Sequence, residues 1–105
     1  MVLRIVHAAV PREKRKEYES FINTTLAPAI RSFPGCRFIY VASCIEKGHE
    51  GEVIYVSGWD SHDNCEALEA TDLYQGAAKT VTTFYTKEYS GGAPHLHYEA
   101  FAQRP

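Results

Sequence analysis

Cysteine is scarce in the 105-residue sequence, which contains only Cys36, Cys44 and Cys65. An odd number without C-x-x-C spacing indicates neither a disulfide framework nor a zinc knuckle, so we expect reduced thiols. The sequence also lacks an apolar run near the roughly 20 residues that span a bilayer, and its first residues lack the features of a signal peptide. We therefore expect a cytoplasmic protein that does not associate with membranes.

An excess of basic charge is absent as well, because 11 Lys and Arg residues stand against 13 Asp and Glu residues. Nucleic acid phosphates require a basic surface, so nucleic acid is not an expected partner. A chain of 105 residues has no room for a cofactor domain beside a substrate domain, which excludes a Rossmann pair and a TIM barrel. We expect residues 1–105 to form a single domain.

Four segments rich in β-branched and aromatic residues predict strands, over residues 2–10, 36–45, 52–59 and 95–102. Glycines and charges between the second and third segments indicate a hairpin. A loop with two glycines and a proline is predicted over residues 90–94, before the last strand.

Two further regions repeat apolar residues at steps of three and four, which predicts amphipathic helices. The first region, residues 18–33, contains Pro28, whose missing amide predicts a kink or a restart near Ala27. The second region opens at Ser61 and has a further capping residue at Thr71. It therefore predicts a short helix followed by a longer one.

The element order is strand, helix, strand, strand, helix, strand. This is the βαββαβ pattern of an α+β, ferredoxin-like fold, with an antiparallel sheet and both helices on one face. Strands with one solvated face alternate apolar and polar residues. The segments VLRIVHAAV, FIYVASC and VIYVSGW instead carry apolar residues at both odd and even positions. Helices cover only one face, so we expect the other face to pack against a second copy in a homodimer.

Three segments resemble the antibiotic biosynthesis monooxygenase family of dimeric α+β barrels. They are VLRIVHAAVP in strand one, FPGC at residues 33–36, similar to the family's PGC helix stop, and VSGWDS at residues 56–61, similar to its S-x-W-x-S segment. The resemblance covers nearly the whole chain and rests on structural motifs. It implies a small homodimeric α+β barrel with a pocket between the helices and the sheet of each subunit.

Known members of this family either oxidise aromatic polyketides or quinols with molecular oxygen and no bound cofactor, or degrade haem. The haem-degrading members carry an Asn in strand one, a Trp in the helix after the S-x-W-x-S segment and a His further along. Aligned on Trp59, these positions fall near His7, Leu68 and Ala78. None of the three matches, so haem degradation is disfavoured.

The polyketide-oxidising members carry an Asn upstream and a Tyr downstream of the strand-end Trp. Here Trp59 has Tyr55 before it and Cys65 after it, so only the Trp matches. The leading hypothesis is a cofactor-independent monooxygenase acting on a quinol-like or polycyclic aromatic molecule. The alternatives are a non-enzymatic protein that binds a small ligand in the same pocket, and a structural or regulatory dimer whose pocket its own side chains fill.

His7, Trp59 and His97 are the candidate catalytic residues. A histidine that titrates near neutral pH can take the proton of a phenol, which prepares the ring to react with oxygen. The last strand of a ferredoxin-like sheet runs beside the first, so we expect His97 across from His7. The Trp59 indole can stack on a flat substrate. The competing interpretations are that His7 is a buried histidine with all its hydrogen bonds made, and that Trp59 packs in the core.

Tyr55, Tyr74 and Tyr85 are the candidate substrate-binding residues. A phenol can orient a quinone oxygen while its ring lines an apolar pocket. Arg4 lies within a strand, where a cation needs a partner. An interface carboxylate is the favoured partner and an anionic substrate group is the alternative.

His95 and His97 share one face of the last strand, and together with His7 they are candidate metal ligands. H-x-H alone is a weak signal, and Glu99 is the only carboxylate expected nearby on that face. We therefore expect no metal, and the family resemblance implies no cofactor.

Overall fold

The computed structural model describes residues 1–88 and 95–104. In this part of the chain one antiparallel sheet contains five strands: β1 (Val2–Ala9), β2 (Cys36–Ser43), β3 (Glu52–Trp59), β4 (Lys87–Glu88) and β5 (Leu96–Glu99). β2 pairs with β3, β3 pairs with β1, and the other side of β1 pairs with β4 and β5. The predicted α+β, ferredoxin-like order is confirmed, with the last long strand beside the first.

The strands differ from the prediction mainly at their ends. The last strand is shorter than residues 95–102, and β4 was not predicted, since two residues show no periodicity. β4 pairs with Ala8 and Ala9 at the end of β1. The loop predicted over residues 90–94 lies outside the described residues.

The first helical region is continuous along the chain but changes its hydrogen-bonding pattern. Its segments are a 3-10 turn (Arg12–Lys14), α1 (Arg15–Phe21), a π-helical turn (Ile22–Leu26) and α2 (Ala27–Arg31). The predicted restart at Ala27 is confirmed. Pro28 lies in the first turn of α2, the position where helices tolerate proline best.

The second helical region divides into α3 (His62–Glu69) and α4 (Asp72–Thr82). The side chains of Ser61 and Thr71 each accept a hydrogen bond from the backbone N–H three residues further on, at 3.2 and 3.1 Å. Both predicted N-caps are therefore confirmed. Throughout the described residues, no helix is long and apolar enough to cross a membrane.

Side chains on β1 alternate between the two faces of the sheet. Val2, Arg4, Val6 and Ala8 are buried on the helix face, whereas Leu3, Ile5, His7 and Ala9 are only half-buried. We call the second surface the open face. Its neighbouring strands contribute exposed apolar side chains, namely Tyr40, Ile54, Leu96 and Tyr98.

Two glycines lie where a larger residue would displace a neighbouring side chain. Gly35 ends the first helical region with φ +89°, and a Cβ there would lie 2.4 Å from the Asn64 side chain. Gly58 lies on the open face, where a Cβ would lie 2.3 Å from the Phe38 ring. The aromatic ring therefore occupies the space that a side chain at position 58 would need.

Candidate active site

A cavity of about 40 Å³ lies between the sheet and the helices. Its polar lining residues are Arg4, Tyr55, Tyr74, Thr82 and Tyr85, and its other lining side chains are apolar. The structure thus brings together the three tyrosines that the sequence predicted as substrate-binding residues, and it adds a buried cation.

A second cavity of about 70 Å³ adjoins the first. Leu26, Ile30 and Tyr74 line both cavities and so form the wall between them. Tyr74 is half-buried.

Arg4 is fixed at the cavity wall by two partners. Only 1% of the residue is exposed, and its Nε donates a hydrogen bond of 2.7 Å to Glu69 Oε2. Its Nη2 donates to the Tyr74 hydroxyl, and its guanidinium carbon lies 5.0 Å from the centre of the Tyr74 ring. The favoured prediction of an interface carboxylate was wrong, because the ion-pair partner belongs to the same chain.

Glu69 also binds two histidines, His97 on β5 and His95 directly before that strand. His97 Nε2 donates to Glu69 Oε2 at 2.7 Å, and His95 Nε2 lies 3.0 Å from Oε1. His97 Nδ1 lies 2.8 Å from Nε2 of His62, at the start of α3. We call Arg4, Glu69, His95 and His97 the Glu69 cluster. It connects the cavity wall with the exposed His62.

The predicted proximity of His7 and His97 was wrong. The β1–β5 register places His97 opposite Arg4, and residues an odd number of positions apart in a strand point to opposite faces. His7 therefore lies on the open face, where its Nε2 is 3.1 Å from Glu52 Oε1. The predicted group of His7, His95 and His97 does not form.

Glu69, rather than Glu99, is the carboxylate beside His95 and His97, and sequence reasoning missed it. It reaches the sheet from the end of α3, far away in the chain, and no local spacing links it to the H-x-H segment. The available signal was Arg4, a charged residue at a buried position of β1, which requires an ionic partner.

The charges in the Glu69 cluster are balanced. Burial would raise the pKa of Glu69, but hydrogen bonds from Arg4 and His97 outweigh it and lower that pKa below its ordinary value. Burial and the Arg4 charge lower the pKa of His95, against the opposing effect of the Glu69 carboxylate. At neutral pH an ionised Glu69 therefore faces Arg4, beside a neutral His95.

These two shifts predict a loss of stability in acid. We expect the free energy of unfolding to fall below pH 6.5, the ordinary pKa of histidine, and further below 4.5, that of glutamate. Both pKa values are lower in the folded chain, so the unfolded chain binds more protons in these ranges. Denaturant unfolding across the pH series measures the effect. His95→Gln should reduce the slope in the upper range and Glu69→Gln in the lower. A wild-type slope in both variants would contradict the assignment.

Three tyrosine hydroxyls form a second polar group at the cavity. The Tyr55 hydroxyl accepts hydrogen bonds from Tyr18 at 2.6 Å and from Tyr85 at 2.8 Å. Burial, together with the neighbouring phenols, raises the pKa of Tyr55, and burial raises that of Tyr18 to about 12. Tyr55 and Tyr18 therefore stay neutral at physiological pH, and the Tyr18 proton is held in the hydrogen bond to Tyr55.

Trp59 is fully buried at the end of β3. Its indole Nε1 donates a hydrogen bond of 2.8 Å to Ser57 Oγ, and its ring centre lies 6.3 Å from that of Phe33. The side chain is not among those lining either cavity described above. Trp59 thus has the contacts of a core residue.

Solved structures with this fold include proteins named as antibiotic biosynthesis monooxygenases. One such protein, from Deinococcus radiodurans, superposes with a TM-score of 0.80 at 17% identity over 100% of this chain and 97% of its own. SnoaB from Streptomyces nogalater, a cofactor-independent oxygenase solved in mutant form, gives 0.80 at 18% identity over 99% and 96%. A Nitrosomonas europaea protein gives 0.75 at 16% identity over 97% and 100%.

At the level of sequence, no protein-family model and no curated protein matches the chain. The structural likeness confirms the fold that the segments VLRIVHAAVP, FPGC and VSGWDS predicted. Since one fold hosts several reactions, the activity has to be argued from the residues of the cavity.

Proposed function

We propose that this protein is a cofactor-independent monooxygenase that oxidises a small phenol or quinol in the cavity between sheet and helices. The observation that supports this most directly is Arg4, a buried cation on the wall of a cavity that is otherwise lined by three tyrosines, Thr82 and apolar side chains. A phenolic oxygen bound beside Arg4 and Tyr74 gains a positive charge and a hydroxyl as partners. Both favour the phenolate over the phenol.

The phenolate is the form that reacts with oxygen. Consider a substrate whose phenol is conjugated with a CH2 group of a ring. Its CH2 group reacts with O2 and becomes a carbonyl group, and one molecule of water is released. One oxygen atom enters the product and the other leaves as water. The substrate carbon supplies all the electrons, so no external reductant is required. The task of the protein is to bind the ring, stabilise its anion and exclude water.

The cavity dimensions favour the smaller of the two expected substrate classes. The two cavities measure about 40 and 70 Å³, whereas ordinary ligand pockets hold roughly 300–1,000 Å³. A compound with one or two rings would require the wall formed by Leu26, Ile30 and Tyr74 to open and join the cavities. A larger polycyclic compound would also require α4 to move away from the sheet.

The histidines then have indirect roles. His97 hydrogen-bonds to Glu69, which in turn holds Arg4, so we propose His97 as a positioning residue rather than the proton acceptor. His7 lies on the opposite face of the sheet, and its predicted role as the base requires a reaction there.

Oxygen uptake by chelator-treated protein tests the proposal, with a panel of reduced quinols and anthrone-like phenols as substrates. We expect uptake above the spontaneous rate, and a decrease of about tenfold in Tyr74→Phe because one hydrogen bond to the anion is lost. Loss of uptake in His7→Ala with full uptake in Tyr74→Phe would instead place the reaction on the open face. Absence of uptake across the panel, with ligands still binding, would favour the non-enzymatic binding protein.

We also propose that the chain forms a homodimer through the open face. Tyr40 is 66% exposed on this face and Tyr98 is 50% exposed. Their side chains extend the apolar surface that the half-buried apolar residues of β1 form. An apolar sheet face of this kind favours burial against a second sheet.

Ile54→Asp should convert the dimer to a monomer, because it places a charge at the centre of the open face, where Ile54 is 42% exposed. Size-exclusion chromatography with light scattering measures the mass, and circular dichroism checks the fold. Ile45→Asp, in the loop after β2 where Ile45 is 91% exposed, is the matched control and should remain dimeric. A dimer in both variants would place the interface elsewhere.

A further inference from the structure

The Glu69 cluster contains the ligand set of a transition-metal site. The Nε2 atoms of His95 and His97 both face the Glu69 carboxylate, at 3.0 and 2.7 Å. One ligand atom from each of the three residues lies within 4.8 Å of the others. Imidazole nitrogens with a carboxylate oxygen suit divalent ions such as Zn²⁺. We propose that Glu69, His95 and His97 bind one divalent transition-metal ion, which fastens β5 to α3.

The fold positions these three ligands from two distant segments. His97 lies on β5 and His95 directly precedes that strand, and their rings stack with centres 5.3 Å apart. Glu69 is the last residue of α3 and reaches the same place from the helix layer. The three side chains are 14–21% exposed, so an ion can enter from solvent and lose part of its hydration shell on binding.

Neighbouring groups already orient two of the three proposed ligands, Glu69 and His97. Arg4 Nε donates to Glu69 Oε2, which leaves Oε1 for the ion. His97 Nδ1 lies 2.8 Å from the ring of His62, so its second nitrogen has a hydrogen-bond partner while Nε2 faces the site. Hydrogen bonds of this kind fix the orientation of metal ligands, and their loss typically costs about 10- to 100-fold in metal affinity.

The positive charge of Arg4 limits which ions can bind. It opposes any cation, so binding depends on strong bonds to the imidazole nitrogens. Mg²⁺ and Ca²⁺ prefer several oxygen ligands, and the site offers one carboxylate. Zn²⁺ binds nitrogen and oxygen ligands in a four-coordinate arrangement, here three protein atoms and one water. The proposal therefore includes selectivity for Zn²⁺ over Mg²⁺.

Metal binding would stabilise β5, a short strand of the sheet. β5 pairs with β1 over four residues, Leu96 to Glu99. Because α3 is a helix, it adds no backbone pairing to β5. An ion bound to residues of both β5 and α3 joins them directly. Because such a site does not exist in the unfolded chain, the binding free energy adds to folding stability.

Isothermal titration of Zn²⁺ into chelator-treated, substrate-free protein tests the proposal, with thermal unfolding as a second readout. We expect one ion per chain, a higher Tm with Zn²⁺ and no effect of Mg²⁺. His95→Ala and His97→Ala should each lower the affinity by more than the roughly 10- to 100-fold expected for His62→Ala. His49→Ala is the matched control, because His49 and His7 flank Glu52 in a similar trio, and it should bind as wild type does.

Zn²⁺ binding that is lost in His49→Ala, or that is unchanged in both His95→Ala and His97→Ala, would overturn the proposal. So would the absence of binding to the wild-type protein. Should the alanine variants unfold, the visible spectrum of Co²⁺ bound to wild type decides. Tetrahedral nitrogen and oxygen ligation gives intense bands, and the spectrum of hexa-aquo Co²⁺ would contradict the site. None of these readouts depends on oxygenase activity, so the two proposals can fail separately.

Discussion

Replacing Arg4 by methionine is expected to lower kcat for oxygen uptake by about 10²–10³-fold, the cost of removing a donor that stabilises a developing anion. The same change should lower the free energy of unfolding by about 3 kcal/mol, because it leaves the half-buried Glu69 carboxylate without its main partner. Oxygen uptake and denaturant unfolding measure the two effects. Uptake at the wild-type rate by folded Arg4→Met protein would remove the arginine from the proposed reaction.

The Arg4→Met, Glu69→Gln double variant separates the two effects. Neutralising Glu69 removes the unpaired charge, so the double variant should recover part of the lost stability. Its uptake should stay as low as that of Arg4→Met, because the cation beside the substrate is still missing. Recovery of both properties would mean that Arg4 acts through stability alone.

Replacing Trp59 by alanine is expected to destabilise the fold by about 3–5 kcal/mol, the usual cost of removing a buried aromatic side chain. Trp59 is fully buried, and Ser57 accepts its indole hydrogen bond. Trp59→Phe keeps most of the volume and should cost much less. Denaturant unfolding gives the free energies, with Ser57→Ala as the control for the lost hydrogen bond, at about 1 kcal/mol.

Trp59→Phe also tests the competing role as a substrate-stacking residue. Because the indole packs in the core, turnover per folded molecule should remain near the wild-type value in this variant. A large loss of turnover with little loss of stability would show that the indole contacts the substrate.

Local patterns predicted much of the fold. The Ser61 and Thr71 caps, the restart at Ala27 and the hairpin of β2 and β3 are each determined by a few neighbouring residues, and all are present. The three cavity tyrosines were predicted in the same way, from elements whose apolar sides face one another.

The parts that sequence reasoning missed depend on contacts between distant segments. The register of β5 against β1 decides that His97 lies beside Arg4, and no periodicity encodes a register. The approach of Glu69 from the end of α3 depends on how that helix packs on the sheet. Both features are central to the proposed site, which is why its ionic cluster was not predicted while its aromatic wall was.

The close approach of Phe38 to Gly58 has a consequence for how this sequence can evolve. Because the ring fills the space above the glycine, any side chain at position 58 would displace it. A mutation at either position changes which residues are tolerated at the other. Homologous sequences should therefore vary jointly at positions 38 and 58, with a bulky aromatic residue at the first accompanying glycine at the second. A lineage that gained a side chain at 58 would first pass through a smaller residue at 38.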